Sequence, residues 1–262
     1  MEHKKLKRIE DYDKVLPIVE VYTAVQSEGS RAGYPTVVIR TTGCTHRCYF
    51  GEGGWCDSFY TSIHPEKGQY TFNDIIKKYE ENPHIKEMML TGGSPTMIPD
   101  LVNELTHFAY KNDIFITIET EGSHFLPTDY PINLLSISPK FSNSIPVLGV
   151  KTPQGAITDQ KMIDRHNKFR LNYDAISKSI AYHSDYHLKP VWDGEDQEAL
   201  AEIMACIKML DIPQDKVWFM PSGDSREALF KSYPKMFDWV RDNGYRLTWR
   251  PHIIAFQDKR EV

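Results

Sequence analysis

Three cysteines, Cys44, Cys48 and Cys56, fall within thirteen residues in the spacing C-x3-C-x7-C, while Cys206 stands alone far downstream. Three thiolates this close can converge on one soft metal centre. A zinc site would close with a fourth ligand, for which His46, His64 and Cys206 are the obvious candidates. Merely buried thiols do not cluster in a stretch carrying Thr41, Thr42, Gly43, Gly51, Gly53 and Gly54. An iron–sulfur cluster is the favoured reading. Held by three protein thiolates, a [4Fe–4S] cluster keeps one iron open, and an open iron can bind and activate a small molecule.

The elements that must position this loop are short β-branched and apolar runs alternating with segments of helical period. Strands are expected at 18–25, 36–40, 86–91, 114–119, 134–138, 187–192, 216–220 and 245–250. Helices are expected at 72–81, behind a Thr71-x-x-Asp74 capping box, at 99–111, which begins on a proline, at 195–210, and at 226–241, which runs out at Asn243-Gly244. The stripe Leu200, Ile203, Ile207 and Leu210 places Cys206 on the buried side of its helix, and Tyr22, Trp218, Trp239 and Trp249 read as packing residues. The segment 152–183 is helical but basic and polar, and reads as an insertion.

This alternation implies a parallel sheet, either wound open or closed into a whole or partial (β/α) barrel. In such a sheet the strand ends share one edge. The cysteine loop, Gly92-Gly93-Ser94-Pro95, Glu119-Thr120-Glu121-Gly122, Ser138-Pro139-Lys140, Met220-Pro221-Ser222-Gly223 and Arg250-Pro251-His252 all follow predicted strands, so they converge on one mouth.

The 262 residues allow one large domain or two small ones, and no linker-like run or repeat divides them. A formal net charge of −5 argues against a surface built to grip nucleic-acid phosphate, so no direct nucleic-acid partner is expected. No apolar run approaches the ~18 residues of a membrane span, and the charged start lacks the apolar segment of a leader; a cytoplasmic protein is the expectation.

The cysteine loop after the second strand, Trp55 directly before the last cysteine, and the Gly-Gly-x-Pro turn together resemble the radical S-adenosylmethionine superfamily. Gln26-Ser27-Glu28-Gly29, Ile39-Arg40, Gly43-Cys44, Trp55-Cys56-Asp57-Ser58 and the three C-terminal loop motifs narrow the resemblance to the 7-carboxy-7-deazaguanine synthases, in order from about residue 18 to the end. Four departures stand out. The usual cluster spacing C-x3-C-x2-C is lengthened by five residues, Ser94 replaces the glutamate of Gly-Gly-Glu-Pro, and Ser27 and Ser58 replace a glycine and a threonine.

The resemblance implies a single-domain α/β fold, a partial (β/α) barrel of the radical type, with residues 17–35 as N-terminal strand and substrate loop and 36–262 as barrel. It implies that Cys44, Cys48 and Cys56 hold a [4Fe–4S] cluster on whose open iron S-adenosylmethionine is reductively cleaved to start ring contraction of 6-carboxy-5,6,7,8-tetrahydropterin. It assigns Trp55, Asp57, Gly92, Gly93, Ser94, Ser138, Pro139, Lys140, Met220, Pro221, Ser222 and Gly223 to the cofactor. Val25, Gln26, Ser27, Glu28, Arg40, Thr91 and His252 go to the substrate, and Ser58 to Mg²⁺. Glu119 and Glu121 are the acid–base candidates. A flavodoxin-like or ferredoxin-like electron donor and a homodimer are the implied partners, and the product enters queuosine-type 7-deazapurine synthesis. The rival readings are an activator of glycyl-radical enzymes, which needs a broad protein-docking face, and a non-catalytic zinc module, which needs the fourth ligand.

Overall fold

The computed structural model describes residues 6, 8–257 and 259–262. Residues 1–5, part of the charged start, lie outside the described residues. Strands β1 (Ile18–Val25) and β2 (Pro35–Thr41) form an antiparallel hairpin. From β2 onward the pairing is parallel, through β3 (Glu87–Gly92), β4 (Phe115–Thr120), β5 (Leu134–Ile137) and β6 (Tyr186–Leu188). A second parallel sheet holds β7 (Val191–Trp192), β8 (Trp218–Pro221) and β9 (Arg246–Leu247).

The two sheets are one curved wall with a break. The expected strand at 187–192 divides because Pro190 has no N–H to give the ladder. Continuity survives across the gap: the Lys189 N–H donates to the Ile137 carbonyl at 2.7 Å, and the Met220 N–H to that of Pro190 at 2.8 Å. The result is a partial (β/α) barrel. The strand expected at 216–220 starts later, since 214–216 form a 3₁₀ turn, and that at 245–250 shrinks to two residues.

Helix α1 (Phe72–Glu81) carries the capping box read from sequence: Asp74 donates its N–H to the Thr71 hydroxyl at 3.2 Å, and the Thr71 N–H donates to the Asp74 carboxylate at 2.7 Å. Helices α2 (Pro99–Lys111), α5 (Gln197–Met209), α6 (Arg226–Asn243) and the short α7 (Pro251–Phe256) follow. Cys206 is fully buried on α5 beside Ile203, in the core. The segment expected as an insertion folds into α3 (Gln160–Phe169) and α4 (Tyr173–Tyr182). Helix α4 is the crossover between β5 and β6, and its Ile176 is fully buried in the same core as Ile18 and Met236. Polar faces hid this role, because only a narrow stripe of each helix meets the sheet.

Candidate active site

The cysteine loop leaves the end of β2 and is clamped there by the turn after β3. Gly93 donates its N–H to the Thr41 carbonyl at 3.0 Å and Ser94 donates to that of Gly43 at 2.8 Å. A Cβ on Gly93 would stand 2.0 Å from the Gly43 oxygen, and one on Gly92 2.3 Å from the Thr41 nitrogen. The two glycines are therefore required by this backbone crossing itself.

The lengthened spacing between Cys48 and Cys56 is a small hairpin. Tyr49 pairs with Trp55 in an antiparallel bridge, residues 51–53 make the turn, and the Cys56 N–H donates to the Cys48 carbonyl at 3.1 Å. Helix α3 supports the other half of the loop: the Arg47 N–H donates to His166 Nδ1 at 3.0 Å, and the Arg165 Nε donates to the Thr45 carbonyl at 3.3 Å. Accepting at Nδ1 leaves the His166 proton on Nε2, which lies 3.1 Å from the Ser144 hydroxyl. Burial lowers the His166 pKa to about 3, so the ring stays neutral. Nothing in the sequence marks this support, since α3 reads as a polar helix.

All three cysteines of the loop face one cavity of about 780 Å³ at the carboxyl edge of the sheet. Burial pushes the Cys44 thiol up to about 12, helped by the neighbouring Glu121 carboxylate, and the Cys56 thiol to about 11, helped by Asp57. Cys48 is raised too, against the opposing pull of Lys140. Thiols in this state become thiolates when a positively charged centre binds them. Among the described residues, no three His, Cys, Asp or Glu groups are drawn close enough to hold a single metal ion. Cys206 is remote from this wall, in the core of α5.

Of the residues assigned to the cofactor, Trp55, Asp57, Gly92, Gly93, Ser138, Lys140 and Met220 line the cavity. Ser94, Pro139, Pro221, Ser222 and Gly223 do not line it. Lys140 donates to the Ser138 hydroxyl at 2.9 Å, and the Trp55 indole donates to the Lys151 carbonyl at 3.1 Å.

On the substrate side, Val25, Ser27, Glu28, Arg40, Thr91 and His252 line the cavity, and Gln26 is buried behind it. Glu28 is the hub. Lys189 donates to Glu28 Oε2 and to Glu119 Oε1, each at 2.6 Å, and the Arg250 Nε donates to Glu28 Oε1 at 2.9 Å. Burial alone would raise the Glu28 pKa, but Lys189 and Arg250 hold it well below the usual carboxylate range. Burial likewise opposes the Lys189 charge, which Glu119 and Glu28 more than restore. Thr91 donates to Glu119 Oε2 at 3.0 Å. His252, lowered by burial, stands 3.9 Å from Glu28. Glu119 and Glu121 do not face each other as a pair: Glu119 is tied to Lys189, whereas Glu121 accepts from the Ser94 hydroxyl at 2.6 Å.

Arg40 is more engaged than its sequence position suggests. Its Nε donates to Glu20 at 2.6 Å, Nη1 to the Ser58 hydroxyl at 2.8 Å and Nη2 to the Tyr22 hydroxyl at 3.4 Å. Tyr22, expected as packing, thus lines the cavity. Glu20 also accepts from Arg260 at 2.6 Å and from the Tyr60 hydroxyl at 3.1 Å, and residues 259–262 complete this wall. Lys189 and Glu20 were missed by sequence reasoning, although a single charge inside an apolar strand is a signal of a buried ion pair. Arg260 left no such signal.

No protein-family model matches the chain. A 7-carboxy-7-deazaguanine synthase of Halobacterium salinarum is 32% identical over 254 residues, covering 94% of this chain and 93% of its own. Those of Rhodopirellula baltica and Pyrobaculum aerophilum are 30% and 25% identical, covering 94% and 93% of this chain and 88% and 96% of theirs. The crystal structure of QueE from Escherichia coli shares the fold, with a TM-score of 0.53 at 18% identity over 88% of this chain and 92% of that one. Coverage of nearly the whole length at this level of identity means that the chain belongs to the 7-carboxy-7-deazaguanine synthase family.

Proposed function

We propose that this enzyme converts 6-carboxy-5,6,7,8-tetrahydropterin to 7-carboxy-7-deazaguanine and ammonia, a step of queuosine-type 7-deazapurine synthesis. The observation that carries the reading is that the Cys44, Cys48 and Cys56 thiols and the Glu28–Lys189–Glu119 charge network line one cavity. Its volume lies within the range of small-molecule sites. Bound there, a [4Fe–4S] cluster with S-adenosylmethionine supplies one-electron, hydrogen-abstracting chemistry.

The chain's own residues bind and orient. Glu28, kept ionised, offers carboxylate oxygens to the donor-rich edge of a pterin, and Thr91 and neutral His252 border the same space. Arg40 presents a guanidinium to the substrate carboxylate. Because Glu20 also accepts from Arg260 and Tyr60, its charge stays paired when Arg40 turns away from it. The Gly92-Gly93 turn, with Ser138 and Lys140, borders the cofactor end.

For Mg²⁺, Ser58 and Asp57 present two hard oxygens, the Ser58 hydroxyl donating to Asp57 Oδ1 at 3.3 Å. These oxygens fit the ion's preference, and Arg40 would give up its hydrogen bond to Ser58 in exchange for the substrate carboxylate. The aromatic side chains Phe230, Phe237, Trp249 and Phe256, each about half exposed, support a protein-contact face on and near α6, which suits a homodimer. The required reducing electron supports a flavodoxin-like or ferredoxin-like donor. The four cysteines are free thiols, which suits a cytoplasmic setting, and among the described residues no helix is long and apolar enough to cross a membrane.

Anaerobic reconstitution with iron and sulfide, followed by S-adenosylmethionine, dithionite and the carboxylated pterin, tests the proposal. Formation of the deazaguanine with one ammonia per turnover and without consumption of S-adenosylmethionine is expected. A protein that takes up cluster and leaves the pterin unchanged overturns the substrate assignment.

A further inference from the structure

Glu121 leaves the end of β4 directly beside the cysteine wall, with its side chain buried and one carboxylate oxygen unaccounted for. Its Oε1 accepts from the Ser94 hydroxyl at 2.6 Å, and the Thr45 hydroxyl lies 3.5 Å from the same atom. Oε2 is buried and has no hydrogen-bond partner. Glu121 as a whole is only 6% exposed, yet it lines the cavity, whereas fully buried Ser94 does not. Leaving a buried carboxylate oxygen unpaired costs a good part of a charged hydrogen bond, so the site is incomplete without a donor.

The surroundings define that donor. A carboxylate is an acceptor only, so the missing group must carry N–H or O–H. The carboxylate's own charge repels an anionic or acceptor-only group from the same space. A nitrogen with protons to donate satisfies both conditions. The turn that borders this point is Gly92-Gly93-Ser94, and Ser94 stands where the resembling sequences carry a glutamate. The serine is too short to reach the cavity and instead holds the carboxylate of the neighbouring strand in place.

Resting on the cofactor assignment above, we infer that Glu121 is the acceptor for the methionyl amino group of S-adenosylmethionine, with Ser94 as its positioning residue. The carboxylate that Ser94 does not supply at the turn after β3 is supplied from the end of β4 by Glu121. Glu119, tied to Lys189, has no part in this and belongs to the substrate side.

The test compares binding, not turnover. Affinities of cluster-loaded protein are measured anaerobically for S-adenosylmethionine and for its 2-oxo analogue, in which a carbonyl replaces the amino group. Wild type should prefer the amino compound. Glu121→Gln keeps the shape but presents an amide in place of the carboxylate, and should bind S-adenosylmethionine about 10–100-fold more weakly while binding the 2-oxo analogue no worse, the size expected for one hydrogen bond to a charged group. Ser94→Ala keeps the carboxylate and loses only its anchor, so it should show a smaller loss of the same sign; it serves also if Glu121→Gln folds poorly. An unchanged ratio of the two affinities in both variants overturns the assignment of Glu121 alone. Wild-type protein that takes up cluster but binds neither compound overturns the cofactor reading on which the assignment rests.

Discussion

The Cys56 N–H donates to the Cys48 carbonyl at 3.1 Å, closing a hairpin that returns the chain to the cavity after seven intervening residues. Residues 50–54 project beyond the Tyr49–Trp55 bridge, whose rings stand 5.0 Å apart. The long spacing is thus a short spacing with a hairpin tip added.

Removal of residues 50–54 leaves Tyr49 and Trp55 between the cysteines and should preserve iron uptake. Iron and sulfide analysis after reconstitution checks this, and loss of the cluster would show that the tip is needed to place Cys56.

Replacement of Cys44, Cys48 or Cys56 by alanine should abolish cluster binding and activity. Cys206→Ala should retain both and lose about 1 kcal/mol of stability, since it removes one small group from the core of α5. Iron content and urea titration read the two effects separately.

Arg40→Lys should raise the apparent KM for the carboxylated pterin at least tenfold while the affinity for S-adenosylmethionine stays near wild type. An ammonium cannot reproduce the guanidinium fork that now spans Glu20 and Ser58. Wild-type kinetics in this variant would remove Arg40 from substrate recognition.

Ser58→Ala should weaken stimulation by Mg²⁺ without loss of the cluster, and Ser58→Thr should keep it. Equal Mg²⁺ response curves for wild type and Ser58→Ala would leave Asp57 or water as the ligand.

The Glu28 pKa is depressed in the folded protein, so its contribution to stability is full above the unfolded carboxylate value of about 4.3 and is lost as pH falls toward the folded one. Lys189→Met removes the buried cation that Glu28 and Glu119 share and leaves Glu28 with Arg250 as its remaining close charge partner. It should cost about 3 kcal/mol at pH 7, with the deficit narrowing as pH falls to about 4, where the Glu28 contribution begins to be lost in wild type as well. Urea unfolding at both pH values checks the sign; a deficit that grows on acidification would contradict the network.

Sequence periodicity was sufficient for the helices α1, α2, α5 and α6, because caps and a 3.6-residue apolar stripe are local signals. It also sufficed for the cysteine loop and the shared edge of the strands, since parallel topology follows from alternation. It failed where the determinants are long-range. The break at Pro190 became visible only as a kink in a curved wall, and α4 became a crossover helix only through the burial of Ile176. The fate of each site carboxylate was decided in space. Glu119 and Glu121 are two residues apart, yet one is paired with Lys189 from β6–β7 and the other with Ser94 from the turn after β3. Sequence alone determined which groups could do chemistry at the edge of this sheet. Tertiary structure decided which charges are neutralised and which are left for a ligand, because a buried charge is settled by partners tens of residues away, here 70 for Lys189 with Glu119 and 27 for Ser94 with Glu121.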